Sequence, residues 1–157
     1  MDIGPIAYQF TRFYIAHMEN HKSLILAEDV TANYLIAKKA LECCMTNFSL
    51  VRVKDGEELI DFLKTHEAPD LVLLDLNMPR KNGFEVLAEM KKDKTLRGIP
   101  VVVISTSSSE EDVKKAYAKG ASSYFTKPSS FAEFKDMMRQ LSLYWFEWSK
   151  LPTERSA

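Results

Sequence analysis

From Lys22 onward, short unbroken apolar runs alternate with longer amphipathic stretches. Residues 23–27 (SLILA) form the first run, the pattern of a strand buried on both faces. Thr31 or Asn33 then suits the start of a helix through about residue 44. A second strand is predicted at 50–53, followed by Asp55-Gly56 and a helix over 57–65. Pro69 breaks that helix, and 70–75 (DLVLLD) reads as a third strand. A loop with Pro79 and Gly83 leads to a helix over about 83–92. Pro100 introduces the β-branched run 101–104, and the serines at 107–109 with Glu110 look like the cap of a helix that ends at Gly120. Residues 123–126 are a fifth strand, and a last helix spans about 130–148.

Five strands alternating with five helices imply an α/β fold, a doubly wound five-stranded parallel sheet with helices on both faces and right-handed connections. The domain is placed at residues 22–148 of the 157, with 1–21 as an N-terminal extension and 149–157 as a tail. The first 17 residues carry Asp2 and Pro5 and lack a basic start, so they make a poor signal peptide. Met18 is a natural start for the domain, and residues 1–17 are expected to be an upstream extension, native or added for expression.

Composition adds little beyond exclusions. Against 21 basic residues stand 22 acidic ones, so no basic excess exists to displace counterions, and nucleic acid is not an expected partner. No apolar run reaches the ~18 residues of a membrane span. Cys43 and Cys44 are adjacent and read as free thiols in a reducing cytoplasm. His17, His21 and His66 have no metal spacing.

In doubly wound sheets, ligands bind beyond the carboxyl ends of the strands, where strand order reverses. The polar residues predicted there are Glu28 and Asp29, Asp75, Ser105 and Lys127. Three gathered carboxylates would repel one another, and a divalent cation resolves the conflict. Hard oxygen ligands beside a phosphate are what Mg²⁺ prefers. Lys127 offers a second positive charge, Ser105 a hydroxyl donor, and an Asp carboxylate can serve as the nucleophile in phosphoryl transfer.

Those residues, with the runs 71–79 (LVLLDLNMP) and 100–105 (PVVVIS), Gly83, Gly120-Ala121, Tyr124 and Lys127-Pro128, closely resemble the response-regulator receiver family of two-component signalling. The spacings agree as well: 30 residues from Asp75 to Ser105 and 22 from there to Lys127. The resemblance implies that Asp75 is the phosphoacceptor. It implies Asp29 as a direct Mg²⁺ ligand, Glu28 acting more through water, and the Asn77 carbonyl completing the set. Ser105 matches the switch hydroxyl, and Tyr124 the aromatic residue that turns inward when Ser105 moves, although a plain core tyrosine would look the same in sequence. Pro128 would follow a cis peptide bond. The side chains of Asn77 and Ser107 would flank the water that hydrolyses the acyl phosphate.

The partners implied are a sensor histidine kinase or phosphotransfer protein and a downstream protein target in a bacterial cytoplasm. Phosphorylation would alter the surface of the fourth helix, fifth strand and last helix. Only nine residues follow Trp148, so output is expected through protein contacts. In the last helix Phe131, Phe134, Met138, Leu141, Trp145 and Trp148 form one stripe, with Met137, Tyr144 and Phe146 off it. The distal aromatics are expected to make a homodimer or partner contact, and this ending is similar to that of stand-alone regulators paired with phytochrome-type kinases. Two other readings stay open. A phosphohydrolase of the haloacid dehalogenase kind also uses a strand-end Asp, but wants a second Asp where Asn77 stands. A binding-only pseudo-receiver should have lost one of the site residues.

Overall fold

The computed structural model describes residues 21–151; the expectations for residues 1–20 and for the end of the tail lie outside them. Five strands and five helices alternate: β1 (Lys22–Ala27), α1 (Thr31–Glu42), β2 (Phe48–Val53), α2 (Gly56–Thr65), β3 (Leu71–Leu74), α3 (Gly83–Lys92), β4 (Val101–Ser105), α4 (Glu110–Ala118), β5 (Ser123–Thr126) and α5 (Phe131–Ser142). A π-helical segment, Leu143–Trp148, continues α5. The sheet is wholly parallel in the order β2-β1-β3-β4-β5. The order reverses between β1 and β3, and that crevice is where a doubly wound fold binds its ligand.

Side-chain alternation divides the core between the two faces of the sheet. Ile25, Val72, Leu74, Val101 and Val103 point to one face, where they meet Leu59, Leu63, Val86, Leu87 and Ala116 of α2, α3 and α4. Leu24, Leu26, Leu71, Leu73, Val102 and Ile104 point to the other, where α1 brings Ala37 and Leu41 and α5 brings Phe134, Met138 and Leu141. Strands with apolar residues at every position are therefore covered on both sides.

Helix ends follow their caps. Asp55 accepts from the Glu57 and Glu58 N–H groups, Asn82 and Glu85 form a reciprocal capping box, and Ser109 and Ser130 cap α4 and α5. The start of α1 differs from the expectation. Val30 occupies its N-cap without a side-chain hydrogen bond, and Asn33, read as a possible cap, instead donates to the Glu28 carboxylate at 3.3 Å. A second correction concerns Pro128: no cis peptide bond occurs among the described residues, in keeping with the intrinsic preference for trans even before proline.

The last helix also departs from a uniform pattern. Its stripe holds through Phe134, Met138 and Leu141, which are buried, while Phe131 is exposed. Beyond Ser142 the wider π turn brings residues five apart into line. Phe146 therefore follows Leu141 toward the core although a regular helix would turn it away, and Trp148 is left 80% exposed.

Candidate functional site

Strand register builds the site before any side chain is considered. Ala27 pairs with both Val53 and Leu74, so the next residues along, Glu28 and Asp75, emerge side by side at the crevice. The Asp75 N–H donates to the Ala27 carbonyl at 3.1 Å, and the Lys127 N–H to the Ser105 carbonyl at 2.7 Å. Each polar side chain is thus delivered by the last hydrogen bond of its own strand.

Of the residues the sequence singled out, Glu28, Asp29 and Asp75 converge. One carboxylate oxygen from each lies within 4.8 Å of the others. Glu28 and Asp75 are buried, at 2% and 8% exposure. Lys127 bridges them, with Nζ donating to Glu28 Oε2 at 2.8 Å and to Asp75 Oδ2 at 3.3 Å. The shorter of the two bonds goes to Glu28, a pairing not legible in the sequence. Glu28 Oε1 also accepts from the Val30 N–H at 3.0 Å, and Asp75 Oδ1 from the Asn77 N–H at 3.2 Å. Burial pushes the Asp75 carboxyl above the ordinary aspartate range, opposed by the Lys127 charge and the Asn77 N–H and reinforced by the Glu28 charge.

The three carboxylates carry one more charge than Lys127 and a single monovalent cation could balance, so the cup favours a divalent ion. Its donors are hard oxygens, as Mg²⁺ and Mn²⁺ require. The residues present therefore fit such an ion.

Two loops border the cup. After β3, Arg80 adopts a left-handed backbone (φ 61°) and its guanidinium pairs with the buried Asp55. Gly83 begins α3 so close to the strand end that a Cβ there would lie 2.7 Å from the Asp75 carbonyl oxygen and 2.8 Å from the Leu76 Cα. At the end of β4, Ser105 is fully buried and its Oγ accepts from the Ser107 N–H at 3.1 Å. The Ser107 carbonyl accepts from the Tyr124 hydroxyl at 2.9 Å. The Tyr124 ring is half-buried against the core. The Ser107 hydroxyl donates to Asp112 at 2.6 Å and accepts from the Ser109 N–H at 3.3 Å.

Sequence reasoning missed the supporting contacts of Asn33 and Arg52. Arg52 left one signal, a lone charge inside a strand of uncharged residues. A cleft of about 150 Å³ opens beside Asp75 between α1 and α5. A wider groove, about 780 Å³, lies at the opposite end of the sheet and holds no comparable carboxylate cluster among the described residues.

The fold and this strand-end cup define a receiver of two-component signalling. The family model for the response regulator receiver domain matches residues 24–139, and the chain belongs to that family. FilR2 of Methanothrix harundinacea, a probable methanogenesis regulatory protein, is 36% identical over 134 residues, covering 82% of this chain and 86% of its own. The response regulator Rcp1 of Synechocystis sp. is 34% identical over 137 residues, covering 83% and 93%. The Mn²⁺-bound form of Rcp1 superposes with a TM-score of 0.78 at 34% identity, over 84% of this chain and 99% of that one. The phosphorylated cyanobacterial phytochrome response regulator RcpA gives a TM-score of 0.80 at 37% identity, over 85% and 99%. No helix among the described residues is long and apolar enough to cross a membrane.

Proposed function

We propose that this chain is a single-domain response regulator that takes a phosphoryl group onto Asp75 from a phosphohistidine, in a Mg²⁺-dependent reaction, and passes the signal on through protein contacts. The observation that carries this reading is the meeting of Glu28, Asp29 and Asp75 within 4.8 Å with Lys127 across Glu28 and Asp75. In the proposed step an Asp75 oxygen attacks phosphorus, the bond from phosphorus to the donor imidazole breaks, and the imidazole nitrogen keeps the electron pair and takes a proton. Asp29, Asp75 and the Asn77 carbonyl, with Glu28 behind, would hold Mg²⁺, which when bound would supply positive charge to the phosphoryl oxygens. Lys127 holds Asp75 before transfer and the phosphate after it. The Ser105 hydroxyl donates to a phosphate oxygen.

Ser107 supports a route from the site to the surface, because its N–H donates to Ser105 and its carbonyl accepts from Tyr124. Movement of Ser105 toward the phosphate changes both contacts and alters the balance between two packings of the α4–β5–α5 surface. The phosphate acts only through its different contacts in those two states.

The donor is proposed to dock over the cleft beside Asp75, where Ile36 and Phe131 line the opening at 45% and 41% exposure. Apolar side chains around a polar cup suit the histidine-bearing helix of a sensor kinase or phosphotransfer protein. The likeness to the cyanobacterial phytochrome response regulator RcpA favours a phytochrome-type kinase as that donor. Exposed Leu143, Tyr144 and Trp148 favour a homodimer through the C-terminal segment.

Incubation with acetyl phosphate and Mg²⁺ followed by intact mass tests the central step. The wild type gains one phosphoryl group, and Asp75→Asn gains none. Equal gain by both places the acceptor elsewhere, while turnover of many equivalents of a free phosphate ester restores the phosphohydrolase reading.

A further inference from the structure

Arg52 contributes no group to the carboxylate cup, yet it binds the backbone of the two residues that supply two of its three carboxylates. It stands on the edge strand β2, in register with Leu26 of β1. Its Nε donates to the Glu28 carbonyl at 3.0 Å and its Nη2 to the Asp29 carbonyl at 2.8 Å. Nη1 donates to the Thr31 hydroxyl at 3.1 Å, and the guanidinium lies over the Tyr34 ring, 5.0 Å from its centre. The turn it grips is otherwise tied by the Glu28 carboxylate, which accepts from the Val30 N–H and from Asn33, while Val30, the N-cap of α1, offers no side-chain hydrogen bond.

We propose that Arg52 is a positioning residue for the cation site. It fixes the backbone of Glu28 and Asp29 so that their carboxylates stand against Asp75 at cation-binding spacing before the ion arrives. The inference rests on reading the cup as a divalent-cation site. A planar fork holds two successive carbonyls in one fixed geometry, which the rotatable donors of a lysine ammonium on a flexible stem do not impose. Supporting residues of this kind carry a measurable share of metal affinity even though they touch no metal.

Charge and position predict opposite outcomes here. Arg52 is a cation near a cation site, so by Coulomb repulsion alone its removal tightens binding. If it acts by position, removal loosens binding.

The test is an electron paramagnetic resonance titration of the unphosphorylated full chain with Mn²⁺. Wild type is compared with Arg52→Met, which keeps an apolar stem over Tyr34, and Arg52→Lys, which keeps the charge. Circular dichroism checks that each variant is folded at the titration temperature. Both variants are expected to bind Mn²⁺ roughly tenfold more weakly, and the amides of Asp29 and Val30 to exchange faster with solvent in the metal-free protein. If Arg52→Met fails to fold, the lysine variant alone carries the comparison. Affinity equal to or tighter than wild type in either variant overturns the proposal and leaves the cation reading intact. A wild type that binds no Mn²⁺ overturns both.

Discussion

Replacing Lys127 by methionine removes the only ammonium that bridges Glu28 and Asp75 among the described residues. At 2.8 and 3.3 Å, with an effective dielectric near 20, the two attractions are about 6 and 5 kcal/mol before desolvation. Burying the three charges cancels most of that. Breaking a buried pair from one side costs about 3–5 kcal/mol, because a charge is left behind without compensation. Glu28 keeps two donors, from Val30 and Asn33, and the Lys127 side chain is 17% exposed, so the low end, about 3 kcal/mol, applies. For a domain of this size that corresponds to a fall in Tm of roughly 10 °C. Thermal or urea unfolding in EDTA measures it. Mg²⁺ should narrow the gap, since the ion replaces the lost positive charge; at ten times its Kd a bound ion contributes about 1.4 kcal/mol. A variant in EDTA within about 0.5 kcal/mol of wild type, the size of an ordinary surface substitution, would refute the reasoning, because the carboxylates could not then be sharing a buried ammonium.

Asp75→Asn should raise the stability of the metal-free protein at neutral pH. The folded pKa of Asp75 lies above its unfolded value, so its contribution is fully present below the unfolded pKa and is lost as pH rises through the folded one; unfolding in EDTA should show the gain shrinking as pH falls into the acidic range. Gly83→Ala sets a Cβ 2.7 Å from the Asp75 carbonyl oxygen and should cost about 1–3 kcal/mol while slowing phosphorylation by acetyl phosphate, read by denaturation and by mass. Tyr144→Ala with Trp148→Ala removes two exposed aromatics, so light scattering after size exclusion should show a dimer becoming a monomer with Tm little changed; an unchanged mass would mean that this segment carries no self-contact. Leu73→Ala empties a fully buried position in the central strand and should cost about 2–5 kcal/mol, measured by urea unfolding.

Alternating short apolar runs and amphipathic stretches were enough to determine a parallel sheet with helices on both sides. A strand covered twice has no polar face, and a helix covered once must have one. That same rule keeps polar side chains out of the middle of such strands and leaves them the ends, where Glu28, Asp29, Asp75, Ser105 and Lys127 stand, and their chemistry and spacing then named the family. Two things were decided only in three dimensions. Which carboxylate the lysine prefers depends on strand register, for Glu28 and Asp75 leave adjacent strands side by side and Lys127 reaches both. The roles of Asn33 and Arg52 depend on contacts between elements: one turned from a cap into a donor to Glu28, and the other reaches from β2 to the carbonyls of the neighbouring turn. The end of α5 shows the same limit. Its aromatics are plain in sequence, but a π turn shifts which of them face the core, and periodicity assumes a constant turn. Local pattern fixes which residues must be buried, whereas partners across the chain are set by packing, which no local pattern contains.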